Sequence, residues 1–98
     1  MSEIRFEWDE HKSKINERKH RVSFEDARTV FYDDHALLIS DPDHSEEDAR
    51  FLLLGLSSAV RLLVVCHCYR EGEDVIRIIS ARKAKRAERR EYERRWSR

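Results

Sequence analysis

The order of apolar and polar positions along the chain predicts an N-terminal strand, two helices, four further strands and a last helix. Residues 3–8, EIRFEW, alternate polar with apolar side chains, which is typical of a half-buried strand with Ile4, Phe6 and Trp8 on one face. The segments HALLISD, ARFLLLGLS, VRLLVVCHCYR and DVIRIISA predict the four further strands. Because their connections are short, including a predicted turn at residues 41–48, we expect an antiparallel β-sheet meander. The predicted fold class is α+β.

Two helices are predicted between the first strand and the meander. Asp9 suits the N-cap of the first, DEHKSKINERKH, in which only Ile15 is strongly apolar. A helical wheel places four polar residues within an arc of roughly 100°, as either a solvated or a binding face: Lys12, Asn16, Lys19 and His20. Ser23 is predicted to cap the second helix, whose core-facing stripe is Phe24, Ala27 and Phe31. The acids of this segment, Glu25, Asp33 and Asp34, are expected to face water.

Length and composition predict one domain spanning residues 1–98, because a chain of 98 residues supports one core. No stretch approaches the roughly 18 apolar residues of a membrane span, and MSEIRFEWDE lacks the apolar region of a signal peptide, so we expect a cytoplasmic protein without membrane contact. Cys66 and Cys68 should point the same way from one strand, which disfavours a disulfide, while His67 should point the opposite way. The three cannot bind one zinc ion together, and no metal or cofactor is expected.

Charge is distributed unevenly although the net charge is zero. Residues 77–98 hold ten Lys or Arg against three Glu, whereas residues 22–50 hold two Arg against nine acids. The closing segment from Arg82 to Trp96 is predicted as a helix with Ala84, Ala87, Tyr92 and Trp96 on one face and basic residues on the other. Its arginines repel one another at i,i+4 spacing. A solvated face remains open as an alternative, but the repulsion favours an anionic partner.

Three stretches resemble the BrnT family of bacterial toxins, which are RelE-like in fold: FEWDEHKSKINERKHRVSFEDA, EEDARFLLLGLS and VIRIISARKAKRAERREY. They follow one another in the family's order and span nearly the whole chain. The resemblance implies a ribonuclease toxin of a type II toxin–antitoxin pair, acting on RNA without a metal. It also implies a BrnA-like antitoxin with a ribbon-helix-helix segment, through which alone the toxin would associate with operator DNA.

One position departs from the family pattern, which usually has glycine after the Lys-His pair where this chain has Arg21. Glycine would serve a positive φ angle at the end of the first helix. Either Arg21 adopts that conformation, at a cost on the order of 1 kcal/mol, or the turn is built differently.

Metal-free RNA cleavage needs a base for the 2′-hydroxyl, cations for the phosphoryl oxygens and an acid for the leaving oxygen. Arg77 interrupts an apolar strand and is predicted either to bind phosphate or to form a structural ion pair. Its strand should place Val75, Arg77 and Ile79 on one face, with Ser80 on the other. We predict that Arg82 joins Arg77 in the catalytic pocket.

Residues of the first helix and of the second meander strand complete this predicted site. His20 is the predicted general acid or base, although it could instead bond backbone carbonyls at the helix end. Lys12, Lys19 and Arg50 are predicted to bind RNA phosphate. The antitoxin is expected to dock on Arg86, Arg89 and Arg90. A non-catalytic basic module that binds nucleic acid or an acidic protein is the alternative, because phosphate binding and phosphate cleavage recruit the same arginines.

Overall fold

The structure, a computed structural model, describes residues 4–40, 50–70, 72 and 74–96, so the turn predicted at residues 41–48 lies outside the described residues. Its strands are β1 Arg5–Glu7, β2 Leu37–Ile39, β3 Phe51–Leu56, β4 Leu62–Arg70 and β5 Val75–Lys83. Its helices are α1 Glu10–His20, α2 Phe24–Thr29 and α3 Arg86–Trp96, with a 3₁₀ turn at Val30–Tyr32. The α+β fold class is confirmed.

The strands form one mixed sheet in the order β1-β5-β4-β3-β2. β2 to β5 pair antiparallel with their neighbours in sequence, so the predicted meander is confirmed. β1 pairs parallel with β5, with Glu7 opposite Arg77. Parallel strands need a long connection, and here the rest of the chain between β1 and β5 provides it.

Apolar side chains pack on both faces of the sheet. On one face, here called the α2 face, Val22, Phe24 and Ala27 pack with Leu63 and Val65. On the opposite face, here called the α3 face, Tyr92 of α3 packs with three buried residues, Leu54, Leu62 and Val64. Tyr92 thus covers the end of the α3 face where β4 begins, and Arg77, paired with Cys68 near the end of β4, lies away from it.

Helix α1 is held by a polar residue rather than by Ile15, which is exposed. Asn16 is only 6% exposed, and its amide nitrogen donates to the carbonyl oxygens of Val22 at 2.8 Å and Ala81 at 2.9 Å. Its amide oxygen accepts from the Ala81 N–H at 3.1 Å. The prediction that Asn16 lies on a solvated or ligand-binding face was wrong. Strand β1 ends at Glu7, so it does not pair with β5 at Ala81, and the Asn16 side chain bonds the Ala81 backbone there instead.

A β-bulge changes which residues of β5 share a face. Cys66 pairs with Ser80 and His67 with Ile78, so Ile79 is the extra residue. A bulge shifts the alternation of side chains by one position beyond it. The prediction that Ser80 lies opposite Arg77 was therefore wrong: both residues lie on the α3 face.

The boundary between β5 and α3 lies later than the composition indicated. Arg82 and Lys83 still pair with Val64 and Leu63, and the Ala84 N–H donates to the Leu62 carbonyl. The prediction of helix from Arg82 was wrong because these pairings outweigh the helix propensity of the segment. The helix begins at Arg86, where the Glu88 carboxylate accepts from the Lys85 N–H, as in one half of a capping box.

Asp33 joins three parts of the fold and is partly buried, although its sequence context indicated an acid that faces water. Its carboxylate accepts from the Leu56 N–H at 2.8 Å and the Tyr92 hydroxyl at 2.7 Å. Burial by itself would raise the pKa of Asp33, but these bonds and one from the His35 N–H outweigh it and lower that pKa. Asp33 therefore fixes α3 to the sheet. Gly55 allows this approach, since a Cβ there would lie 3.1 Å from an Asp33 oxygen.

Candidate active site

Three polar residues of β5 lie in a row on the α3 face of the sheet: Arg77, Ser80 and Arg82. Their partners on β4 are Cys68, Cys66 and Val64, which alternate along one face, and Val64 packs on α3. At about 3.3 Å per strand residue, the Cα atoms of Arg77 and Arg82 are roughly 15 Å apart. The bulge at Ile79 creates this row, because without it Arg82 would lie on the face opposite Arg77.

Arg77 makes an ion pair with Glu7 of β1. Its Nη1 donates to the Glu7 Oε2 atom at 2.8 Å, and the Nε atom of Arg70 lies 3.7 Å from the same oxygen. The side chains of Arg77 and Glu7 are 33% and 38% exposed, so solvent and ligands can reach both. The structure thus bears out the ion pair considered for Arg77, and this pair lies at the surface.

Arg82 is joined to the first turn of α3. Its two terminal nitrogens donate to the two carboxylate oxygens of Glu88, each at 2.8 Å. The bond from Arg82 is the main reason why the pKa of Glu88 is lowered. A bidentate pair of this kind fixes the guanidinium plane. Arg82 therefore has a structural role at the start of α3, whatever else it binds.

The last turn of α1, which carries Lys19 and His20, lies away from Arg77. Arg61, which precedes β4, donates to the Arg21 carbonyl at 2.6 Å and so places the end of α1 near the Lys83 end of β5. His20, at that end, is partly buried, and its side chain has no hydrogen-bond partner among the described residues. His20 therefore makes no bond to a described backbone carbonyl at the helix end, and it does not share a pocket with Arg77.

The two lysines predicted to bind phosphate, Lys12 and Lys19, are exposed on α1. Arg50 is exposed and directly precedes β3, whose first residue Phe51 pairs with His67. The next residue of β4, Cys68, pairs with Arg77, so Arg50 and Arg77 lie at the same end of the sheet. This convergence was predicted; Arg82, also expected there, lies at the other end of β5.

The basic face of α3 is exposed at the residues predicted to bind an antitoxin. Arg86, Arg89 and Arg90 are all exposed, and within residues 4–40, 50–70, 72 and 74–96 their guanidinium groups have no carboxylate partner. On the opposite side Tyr92 is buried and Ala84 half-buried, as predicted. Ala87 is exposed, so its assignment to the packed face was wrong.

His67 lies on the α2 face, opposite the two cysteines, as predicted. It is fully buried, and its ring packs edge-on against Phe31 with a centroid distance of 4.8 Å. Burial lowers the pKa of His67, partly offset by the bond from its Nδ1 to the Val65 carbonyl. Cys66 and Cys68 are free thiols, and no group of three or more potential metal ligands occurs in the described part of the chain.

Sequence reasoning missed Glu7 and Ser80 as members of the site. Glu7 is one polar residue in an alternating strand, and its position beside Arg77 depends on the parallel pairing of strands from opposite ends of the chain. Ser80 needed knowledge of the bulge. No short-range signal in the sequence predicts either feature.

The geometry defines a small α+β domain whose sheet carries a partly exposed row of arginines with a carboxylate beside it, a site suited to binding phosphates. A family described as "Ribonuclease toxin, BrnT, of type II toxin-antitoxin system" matches residues 8–88. The chain belongs to this BrnT family of ribonuclease toxins.

A solved structure supports the fold assignment. The 1.1 Å crystal structure of the Brucella abortus ribonuclease toxin BrnT is similar, with a TM-score of 0.61, 22% sequence identity, and coverage of 88% of this chain and 100% of that chain. At this identity the likeness concerns the fold. Comparison with curated proteins finds no match. Among the described residues, no helix is long and apolar enough to cross a membrane.

Proposed function

We propose that this toxin is a metal-independent endoribonuclease that binds its RNA along the arginine row of β5. The observation that carries the proposal is the placement of Arg77 and Arg82 on one face of the sheet, each partly exposed. Guanidinium groups stay charged at all working pH values and bind phosphate oxygens through two parallel hydrogen bonds. At roughly 15 Å apart, the two arginines would contact different phosphates of one strand. Phosphate contacts of this kind position RNA without reading its sequence.

The two carboxylates that bond Arg77 and Arg82 are compatible with phosphate binding by these arginines. Glu7 and Glu88 keep the two side chains oriented in the free protein. An RNA phosphate would compete with them for the same donors. The Arg77–Glu7 pair is about a third exposed on each side, and separating it costs only about 0–1 kcal/mol, so it can open when RNA binds. The bidentate Arg82–Glu88 pair is held more tightly, because Glu88 is only 19% exposed and accepts two hydrogen bonds.

The other residues predicted for the site would contact RNA on either side of the arginine row. Arg50 would extend the phosphate-binding surface at the Arg77 end of the sheet. His20, Lys12 and Lys19 would act at the α1 edge, where His20 lies nearer Arg82 than Arg77. A proton-transfer role for His20 therefore applies to a phosphate bound at the Arg82 end.

A cognate antitoxin is the second partner, and we place its contact on the basic face of α3. Arg86, Arg89 and Arg90 follow one another at i,i+3 and i,i+4, and this repulsion is relieved when an acidic segment covers them. The proposed antitoxin is BrnA-like, with operator DNA bound through it. Changing the three residues to Glu should weaken the complex at least tenfold and reduce its salt dependence, measured by titration calorimetry at two salt concentrations. Unchanged affinity would remove α3 from the interface.

The experiment for the RNA proposal uses lysine substitutions, which keep the positive charge. Arg77→Lys and Arg82→Lys lose the fork geometry while retaining an ion pair with Glu7 or Glu88. Each should lower the single-turnover rate of RNA cleavage tenfold or more without a large change in melting temperature. Cleavage is measured with purified protein in EDTA, on labelled RNA and in a translating bacterial extract. Arg28→Lys, on the α2 side of the molecule, is the matched control.

The alternative function, a non-catalytic basic module, makes a different prediction in the same experiment. Such a module would bind the labelled RNA with a strong salt dependence but leave it intact at every protein concentration. Intact RNA in both assays, with soluble folded protein, would reject the endonuclease proposal. Cleavage that stops in EDTA and returns with a divalent ion would reject its metal independence.

A further inference from the structure

Glu7 has the geometry of a group that can accept a proton beside a bound phosphate. Both cationic contacts involve a single oxygen, Oε2, which lies 2.8 Å from Arg77 and 3.7 Å from Arg70. The other oxygen, Oε1, has no partner among the described residues. The carboxylate is thus oriented by a hydrogen bond from Arg77, with the Arg70 charge close to the same oxygen, while the other oxygen remains available. We propose that Glu7 is the general base of RNA cleavage in this chain, a role that rests on the ribonuclease function proposed above.

The position of Glu7 follows from the parallel pairing of β1 with β5. Glu7 lies directly opposite Arg77, and register partners in adjacent strands project to the same face. A phosphate bound by Arg77 would therefore lie within reach of the Glu7 carboxylate. The Arg70 charge, 3.7 Å from the same oxygen, would still attract the Glu7 carboxylate when Arg77 turns to the phosphate.

Histidines fit this position less well. His67 is fully buried on the α2 face, so RNA cannot reach it. His20 lies at the Lys83 end of β5 and has no hydrogen-bond partner among the described residues that would orient its ring. A base must be held within hydrogen-bond reach of the proton that it removes. Glu7 satisfies this requirement at the Arg77 phosphate.

The proposed step balances without a cofactor. The Glu7 carboxylate takes the proton of the 2′-hydroxyl, the 2′-oxygen forms a bond to phosphorus, and the bond from phosphorus to the 5′-oxygen breaks. Water protonates the leaving 5′-oxygen, and Glu7 then returns its proton to solvent. The products are a 2′,3′-cyclic phosphate and a 5′-hydroxyl end. Arg77 stabilises the charge that develops on the phosphoryl oxygens.

The first test is the variant Glu7→Gln, which keeps the size of the side chain and an acceptor for Arg77. The single-turnover rate on labelled RNA should fall by about 10²–10⁴. Glu17→Gln, an exposed carboxylate of α1, is the matched control and should cleave at the wild-type rate. Cleavage by folded Glu7→Gln at the wild-type rate would overturn the proposal.

A second test separates a proton acceptor from a structural ion pair. Glu7→Ala should regain cleavage when formate is added, because the small carboxylate can occupy the vacated space and take the proton. The same concentration of chloride controls for ionic strength. Equal rates in formate and chloride would overturn the proposal. Circular dichroism melts accompany both variants.

A third variant applies if loss of the carboxylate unfolds the protein. Glu7→Asp keeps the charge for Arg77 and Arg70 but withdraws the carboxylate by one methylene. A tenfold or larger loss of rate at an unchanged melting temperature supports the base role, and a wild-type rate contradicts it. A wild-type protein that leaves all RNA intact would end the proposed function itself, whereas a cleaving Glu7→Gln protein would end this inference alone.

Discussion

Replacing Asn16 by alanine tests whether a polar side chain, and not apolar packing, holds α1 on the sheet. The asparagine makes three buried hydrogen bonds, two to carbonyl oxygens and one from the Ala81 N–H. A net value of about 1 kcal/mol for each bond gives a loss of roughly 3 kcal/mol. The cost rises further if the freed backbone groups stay buried without partners. Stabilities of domains are about 5–15 kcal/mol, so this single change removes a large fraction.

The measurement is urea unfolding followed by circular dichroism and by the fluorescence of the tryptophans. A loss of roughly 3 kcal/mol corresponds to a melting temperature lower by roughly 12–24 °C in a domain of this size. Asn16→Asp keeps the shape but removes both donors and sets a carboxylate against two carbonyl oxygens. It should be at least as destabilising at pH 7.

The control for Asn16 is Glu17→Ala, one position further along α1. Glu17 is exposed, and exposed substitutions of this kind usually change stability by less than about 0.5 kcal/mol. An Asn16→Ala protein within 1 kcal/mol of the wild type would show that these hydrogen bonds do not hold α1 on the sheet. Water would then form the hydrogen bonds to the Ala81 N–H and carbonyl that Asn16 forms in the wild type.

Three further predictions concern the end of α1, the β3 backbone and the attachment of α3. Arg21 has a φ angle of 61°, so Arg21→Gly should stabilise the fold by about 1 kcal/mol in urea unfolding, and an unchanged midpoint would argue against strain there. Gly55→Ala should cost about 1–3 kcal/mol in the same assay, because the new Cβ would lie 2.8 Å from Val30 Cγ1; no loss would show that the contact relaxes freely. The pKa of Asp33 is lowered in the fold, so its contribution is present above its unfolded pKa of about 3.9 and is lost as pH falls through the folded value. Asp33→Asn should therefore flatten the decline of stability below about pH 4, and a variant with the wild-type acid profile would contradict this assignment.

Local signals in the sequence predicted the elements whose ends carry their own caps. Asp9 accepts from the Lys12 N–H and Ser23 from the Asp26 N–H, as their positions before each helix indicated. Arg21 adopts the left-handed conformation, the first of the two arrangements considered for it. These features depend on a few neighbouring residues, so short segments of sequence carry the information.

Predictions that depended on extending a local pattern were less reliable. The helical wheel grouped Asn16 with Lys12 and His20 because all three are polar, yet only Asn16 meets the free edge of a strand. Strand alternation separated Ser80 from Arg77 because it could not include the bulge at Ile79. In both cases contact with another element, β5 for Asn16 and β4 for Ser80, decides the orientation, which local polarity does not encode.

The amino-acid sequence was enough to predict the α+β class, the meander of β2 to β5 and the BrnT resemblance, because hydrophobic period, short connections and motif order are properties of neighbouring residues. The composition of the candidate site, in contrast, follows from the assembled fold. The parallel pairing of β1 with β5 brings Glu7 to Arg77 across 70 positions, and a single extra residue at Ile79 places Arg82 on the same face. The first result depends on pairing between strands from opposite ends of the chain, and the second on the register between β4 and β5; both are fixed only once the sheet has assembled.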